Sequence, residues 1–239
     1  FFKVFIPEAR PGMMYKYKIY HRDGSYMEHC DPYGFGMELR PAFASIIRDM
    51  DTYRFHDAKW MKNRSVCQGS PLNIYEVHLG SWRTKPVLDE QGNPEEIAES
   101  NRVAESWYTY KEIAPMLAEY VKEQGYNYVE FMPLSEHPSD QSWGYQNTGF
   151  FSPTSRYGTA DELKEMIDIL HQHNIGTILD FVPVHFALDG YGLARYDGTA
   201  LYEYPSNDVG YSEWGSMNFI HSKGEVRSFL QSAANYWLS

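Results

Sequence analysis

The sequence predicts a stretch of antiparallel β-structure followed by an α/β unit on a parallel sheet, and three observations predict it. Up to about residue 57, polar and apolar residues alternate at a period of two between turn signals such as Pro11-Gly12 and Asp23-Gly24. From Pro71 onward, short apolar strands alternate with amphipathic helices. The segments after the second and third of those strands, Leu134–Gly158 and His185–Lys223, are long and rich in Trp, Tyr, His and Asp. Alternating strands and helices argue for a doubly wound sheet or a (β/α) barrel. Chemistry-bearing loops at strand C-termini are the barrel arrangement, although doubly wound sheets use the same edge.

The elements follow in order. Residues 1–57 read as three or four short strands, with Tyr15, Tyr17 and Ile19 on one face and an Asp-Gly hairpin turn after His21. That makes a thin β-sandwich that begins directly inside a strand, so part of it is expected to precede Phe1. Residues 58–70 read as a linker and 71–239 as the α/β unit. Its strands are Ile74–Leu79, Tyr128–Met132 and Thr177–Val182, with Asp180 inside the third. Ile113, Leu117, Tyr120 and Val121 mark the first helix, which Gly125 stops and Pro115 is expected to open. Thr159-Ala160-Asp161-Glu162 is a capping box for the second, with Leu163, Met166, Ile167 and Leu170 on one face. Ser222 is the expected cap of the third, whose apolar side carries Val226, Phe229, Leu230, Ala233 and Trp237. A whole barrel takes roughly 250 residues, whereas about 170 follow Ser70 and supply about three βα units. The pattern stops at Ser239 within a helix, so the chain reads as part of a longer one.

Composition excludes several classes. The net charge of −11, with no Lys/Arg run, disfavours a nucleic-acid partner. No apolar run approaches a membrane span, and FFKVFIPEARPG is not a signal peptide. Cys30 and Cys67 are too few for a disulfide framework and read as buried or idle thiols in a reducing cytoplasm. Much of the 16% aromatic content must be core, but it also supplies flat faces on which a sugar ring can stack.

Candidate site residues lie just past the strands. They are His78, Ser81 and Trp82; then Glu136, His137, Asp140, Trp143, Tyr145 and Gln146; then Asp180 and His185. A carboxylate in the apolar run around Asp180 must be paired, either structurally or in a site. Gly34-Phe35-Gly36 lacks a third glycine, and Gly210-Tyr211-Ser212-Glu213-Trp214-Gly215 has Trp214 where a nucleophile elbow needs glycine. His171 and His173 read as helix-end histidines rather than metal ligands, so loss of His171 is expected to change little. Asp189, Asp197 and Asp208 lack calcium-loop spacing. No metal or cofactor is expected.

At these residues the chain resembles a known family. YEVHLGSW, YVEFMPLSEHPSDQSWGYQNTGFFSPTSRYGT and TILDFVPVHF are similar to the α-amylase family (glycoside hydrolase family 13), and most of all to its bacterial 1,4-α-glucan branching members. YKYKIYHRDG and DPYGFGMELRP resemble the family 48 carbohydrate-binding module that precedes their barrel. The resemblance implies a (β/α)8 TIM barrel and a retaining transfer of α-1,4-glucan to a 6-hydroxyl through a covalent glycosyl-enzyme. The family's three catalytic carboxylates follow barrel strands four, five and seven, so none is expected before Ser239 and this chain alone is expected to be inactive. It implies that Asp180 supports the sugar site, that His185 bonds the sugar beside the cut, and that Tyr145 stacks on the same sugar. Val184 stands where many members have a calcium-binding Asn, so that site is not expected here. A debranching enzyme or amylase of the same family, and a non-catalytic glucan-binding protein, are the alternatives.

Overall fold

The computed structural model describes residues 3–64, 69–95 and 106–239. Strand β1 (Met14–Tyr15) pairs antiparallel with β4 (Ser45–Ile46), and β2 (Tyr17–Tyr20) pairs with β3 (Tyr26–His29) from Tyr17 opposite His29 to Tyr20 opposite Tyr26. Asp23 accepts from the Ser25 amide at 2.9 Å and hydroxyl at 2.6 Å, which closes the predicted hairpin turn. Two-stranded ladders are marginal alone, and this segment is held by docking. The Cys30 amide donates to the Tyr191 carbonyl, and His29 Nδ1 donates to the Gly192 carbonyl. Cys30 is a buried free thiol whose pKa burial pushes up to about 12; Cys67 lies outside the described residues.

Helix α1 (Ala58–Asn63) occupies part of the stretch read as a linker. Its Trp60 ring stacks on His171 at 5.1 Å, and Asp57 just before it meets His171 Nδ1 at 2.7 Å.

The remainder is built on a three-stranded parallel sheet. Strands β5 (Ile74–Val77), β6 (Tyr128–Phe131) and β9 (Gly176–Leu179) lie in the order β9-β6-β5, with β6 central. The side-chain alternation of a strand sends Val77, Val129 and Phe131 into the core against the helices, and sets Glu76 beside Glu130 in register on the other face. All three strands are shorter than the sequence suggests. They end at Val77, Phe131 and Leu179, so Asp180 sits just past its strand rather than within it. Its amide still donates to the Phe131 carbonyl at 3.0 Å. Pro133 and Pro183, which lack an amide hydrogen, follow within a few residues and cannot extend a ladder. Leu79 opens a single helical turn, Leu79–Trp82, instead of closing β5.

Helix α2 (Tyr110–Glu123) starts five residues before Pro115, which therefore lies inside it. The reason is a capping box that the Pro115 reading overlooked. Thr109 Oγ1 accepts from the Glu112 amide, and the Glu112 carboxylate accepts from the Thr109 amide at 2.8 Å. Gly125, at φ +79°, closes the helix as predicted: its amide reaches the Lys122 carbonyl while that of Tyr126 reaches Val121. Helix α3 (Ala160–Gln172) begins at the predicted Thr159–Glu162 box. Helix α4 (Gly224–Leu238) is not capped by Ser222; its N-cap is Lys223, without a side-chain cap. Cations on carbonyls fix its start instead, Lys223 Nζ on Ala200 and Leu201 and Arg227 Nη1 on His221 and Ser222. Val226, Phe229, Leu230 and Ala233 of α4 form a second core with Phe150, Phe186 and Phe219. Among the described residues, no helix is long and apolar enough to cross a membrane.

Candidate functional site

The loop after β6 is framed by β7 (Ser135–Glu136) pairing with β8 (Gly149–Pro153). Glu136 is buried and accepts from the Ser155 amide and hydroxyl, both at 2.7 Å, and from Arg156 Nη1 at 2.9 Å. Arg156 Nε donates to Asp140 at 2.7 Å, and Arg40 from the N-terminal segment grips the same carboxylate. Two of the candidate acids are thus struts of the loop rather than groups that face a ligand. His137 is also buried; its Nδ1 donates to the Ser135 carbonyl, and burial, aided by Arg156, pushes its pKa down to about 3. After β5, His78 Nδ1 meets Ser81 Oγ at 2.8 Å and Trp82 packs edge-on against Tyr120 of α2. His171 and His173 do not converge, since His173 Nδ1 donates to the Ile169 carbonyl while His171 faces Asp57 and Thr177. Among the described residues, no three His, Cys, Asp or Glu side chains form a metal-binding group.

Tyr145 and Asp180 come together. The Tyr145 hydroxyl donates to Asp180 Oδ2 at 2.7 Å. Burial, then Asp180, then the charges of Glu76 and Glu130 raise the pKa of Tyr145, so it stays a protonated donor. The local chain path explains the placement. A single 3-10 turn, Asp140–Ser142, puts Trp143 at φ +53° and Gly144 at φ +92°. A Cβ on Gly144 would stand 2.3 Å from the Pro133 carbonyl oxygen, so only glycine lets this turn lie against the end of β6.

His185 opens β10 (His185–Phe186), which pairs with β11 (Met217–Asn218). It is 7% exposed, and its Nδ1 lies 2.7 Å from the Ser216 hydroxyl. Burial lowers its pKa, which favours the neutral ring. Trp214 stacks on it at 5.7 Å and 28° while remaining 63% exposed. The Trp214 carbonyl accepts from the Gln146 amide at 2.7 Å, which connects the two halves of the site. Sequence reasoning missed Trp214, Ser212 and Ser216. The signal in their segment, Gly210–Gly215 and the residue after it, is an isolated Trp among polar loop residues. Exposed Trp143 and Trp214, a Tyr hydroxyl, a carboxylate and a neutral imidazole suit a ligand with many hydroxyls and apolar ring faces.

Residues 107–197 match the alpha amylase catalytic-domain model. Over these residues the chain is similar to the α-amylase family. Among curated relatives it is 45% identical to 1,4-alpha-glucan branching enzyme GlgB of Fusobacterium nucleatum, over 99% of this chain and 36% of that enzyme. It is 45% identical to GlgB of Francisella philomiragia, over 99% of this chain and 35% of that enzyme. For GlgB of Prochlorococcus marinus the identity is 42%, over 98% of this chain and 32% of that enzyme. The chain therefore spans about a third of the length of these relatives. A crystal structure described as an alpha amylase of Salmonella typhimurium superposes with TM-score 0.71 at 22% identity, covering 98% of this chain and 34% of that one. The pullulanase of Bacillus acidopullulyticus superposes at 0.62 and 21% identity, covering 95% and 29%. Both support an α/β barrel type of fold.

Proposed function

We propose that this chain is the glucan-holding part of a 1,4-α-glucan branching enzyme, which cuts α-1,4-glucan and passes the severed chain to a 6-hydroxyl to make glycogen branches. The observation that carries it is the Tyr145–Asp180 hydrogen bond, which anchors an aromatic ring by its polar end. Branching, rather than debranching or simple hydrolysis, is supported by the names of the relatives at 42–45% identity. In this reading Tyr145 stacks on the sugar beside the cut, His185 bonds its hydroxyl, and Asp180 supports both. The nucleophile, acid/base and stabilising acid come from the segment that corresponds to later barrel strands of those relatives, beyond Ser239. Residues 1–57 act as part of a carbohydrate-binding module, 58–70 join it to the barrel, and 71–239 begin the barrel. The setting is cytoplasmic, and the partners are glycogen, amylose and maltooligosaccharides.

Two measurements on the 239-residue chain test this. Calorimetric titration with maltoheptaose should show binding, and incubation with amylose should leave the iodine colour unchanged. Absence of maltoheptaose binding would overturn the site. A change of iodine colour, with release of no reducing ends, would show that branching chemistry is already complete in this chain.

A further inference from the structure

We propose that Ser212 and Ser216 are positioning residues that lock His185 in the Nε2–H tautomer, so that it presents a hydrogen-bond donor to a glucan hydroxyl. The identity of that acceptor rests on the proposed function; the tautomer does not.

The argument is one of proton direction. Ser212 Oγ lies 3.2 Å from the Ser216 amide and 3.3 Å from the Trp214 amide, and both amides can only donate. A hydroxyl has two lone pairs and one hydrogen, so these two bonds leave Ser212 only its hydrogen to offer. Its remaining partner is Ser216 Oγ at 2.5 Å, which must accept. The Ser216 hydrogen is then free for His185 Nδ1 at 2.7 Å, which must accept in turn. An imidazole that accepts at Nδ1 carries its proton on Nε2. Nε2 has no hydrogen-bond partner among the described residues and is not one of the buried orphan nitrogens.

The backbone holds the relay in place. The Ser212 amide donates to the Ser216 carbonyl at 2.9 Å, and Tyr211 bridges Met217 across the base of the loop. Ser216 is fully buried, so water does not compete for its hydroxyl. Trp214 lies at the tip of the same loop, stacked on the imidazole. One five-residue turn therefore sets both the plane and the protonation site of His185. Other histidines of the chain do the reverse: His29, His137 and His173 each place Nδ1 against a carbonyl oxygen, which can only accept. Those three carry the proton on Nδ1.

The test is long-range proton–nitrogen correlation on the 239-residue chain with ¹⁵N-labelled histidine, near neutral pH. His185 should show the Nε2–H pattern, and His29, His137 and His173 the opposite one in the same spectrum. Ser216→Ala and Ser212→Ala should each convert His185 to an averaged pattern while the other three stay unchanged. The second variant keeps the test alive if the first does not fold. In parallel, Ser216→Ala should weaken maltoheptaose binding about twofold, the factor by which an averaged tautomer dilutes the ring that presents Nε2–H. An Nδ1–H pattern at His185 in the unmodified chain, or an Nε2–H pattern that survives both variants, overturns the proposal. Equal maltoheptaose affinity in Ser216→Ala also overturns it. If the unmodified chain does not bind maltoheptaose at all, the glucan reading fails, and the nitrogen spectrum still decides the serine relay.

Discussion

The Gln146 side-chain amide donates to the Trp214 carbonyl across 2.7 Å, joining two loops 68 residues apart. Gln146 follows Tyr145, whose hydroxyl is held by Asp180, and Trp214 stacks on His185, whose ring is held by Ser216. Asp180, Tyr145, Gln146, Trp214 and His185 thus form one continuous chain of contacts. The Tyr145 and His185 rings are each fixed by a polar bond at the ring edge, and Trp214 by its backbone carbonyl, which lowers the ordering cost of binding a sugar.

Removing parts of this chain should separate stacking from hydrogen bonding. Tyr145→Phe keeps the ring and loses the bond to Asp180, so maltoheptaose affinity should fall about 3- to 10-fold. Tyr145→Ala should cost more, because the stacking face goes too. In a full-length branching enzyme carrying this segment, His185→Ala should lower turnover about 30- to 1000-fold if its bond tightens in the transition state. Titration calorimetry and initial rates read these out. Equal losses for Tyr145→Phe and Tyr145→Ala would mean that the ring makes no stacking contact.

His171 should behave differently from the sequence expectation. Its two ring nitrogens meet Asp57 and Thr177, and Trp60 covers its face, so it latches α1 to α3 and β9. His171→Ala should therefore destabilise the fold by about 1–3 kcal/mol, the cost of leaving buried partners unpaired. Maltoheptaose affinity of the folded protein should be unchanged. Chemical denaturation gives the first quantity and calorimetry the second.

The two arginines on Asp140 should have unequal effects. Arg156 is almost fully buried and also neutralises buried Glu136, so Arg156→Leu strands a carboxylate and should cost about 3–5 kcal/mol. Arg40 and Asp140 are both partly exposed, so Arg40→Ala should cost about 1 kcal/mol or less. Denaturant midpoints of the two variants measure the difference. A larger loss for Arg40→Ala would show that the N-terminal segment is held chiefly by this one pair.

Acid should unfold the protein partly through His137. Its folded pKa is pushed down to about 3 by burial, below its ordinary 6.5. Below pH 6.5 the unfolded chain takes up a proton that the folded chain refuses, so stability falls as pH drops toward 3. The slope is about 1.4 kcal/mol per pH unit, or about 2 kcal/mol lost by pH 5. In His137→Asn the side-chain amide can still donate to the Ser135 carbonyl and has no proton to gain. Its melting temperature should decline less between pH 6.5 and pH 5 than that of the unmodified protein.

The α/β character and the two capping-box or glycine signals that survived were legible from the sequence by itself, because helix faces and local motifs are properties of neighbouring residues. The 3.6-residue spacing of Ile113, Leu117 and Val121 fixes one face whatever lies opposite, and Gly125 can adopt a left-handed turn that other residues resist. Only the tertiary structure decided which polar residues are engaged in holding the protein together. Glu136, His137 and Asp140 look like catalytic groups in a linear reading, but Arg156, itself 16 to 20 residues away, and Arg40, 100 residues away, draw the acids into a strut. Trp214, Ser212 and Ser216 look like ordinary loop residues until the β10–β11 pairing lays them on His185. Partners distant in sequence leave no periodic trace, and a buried donor or acceptor acquires its role only when the fold supplies the group it must satisfy.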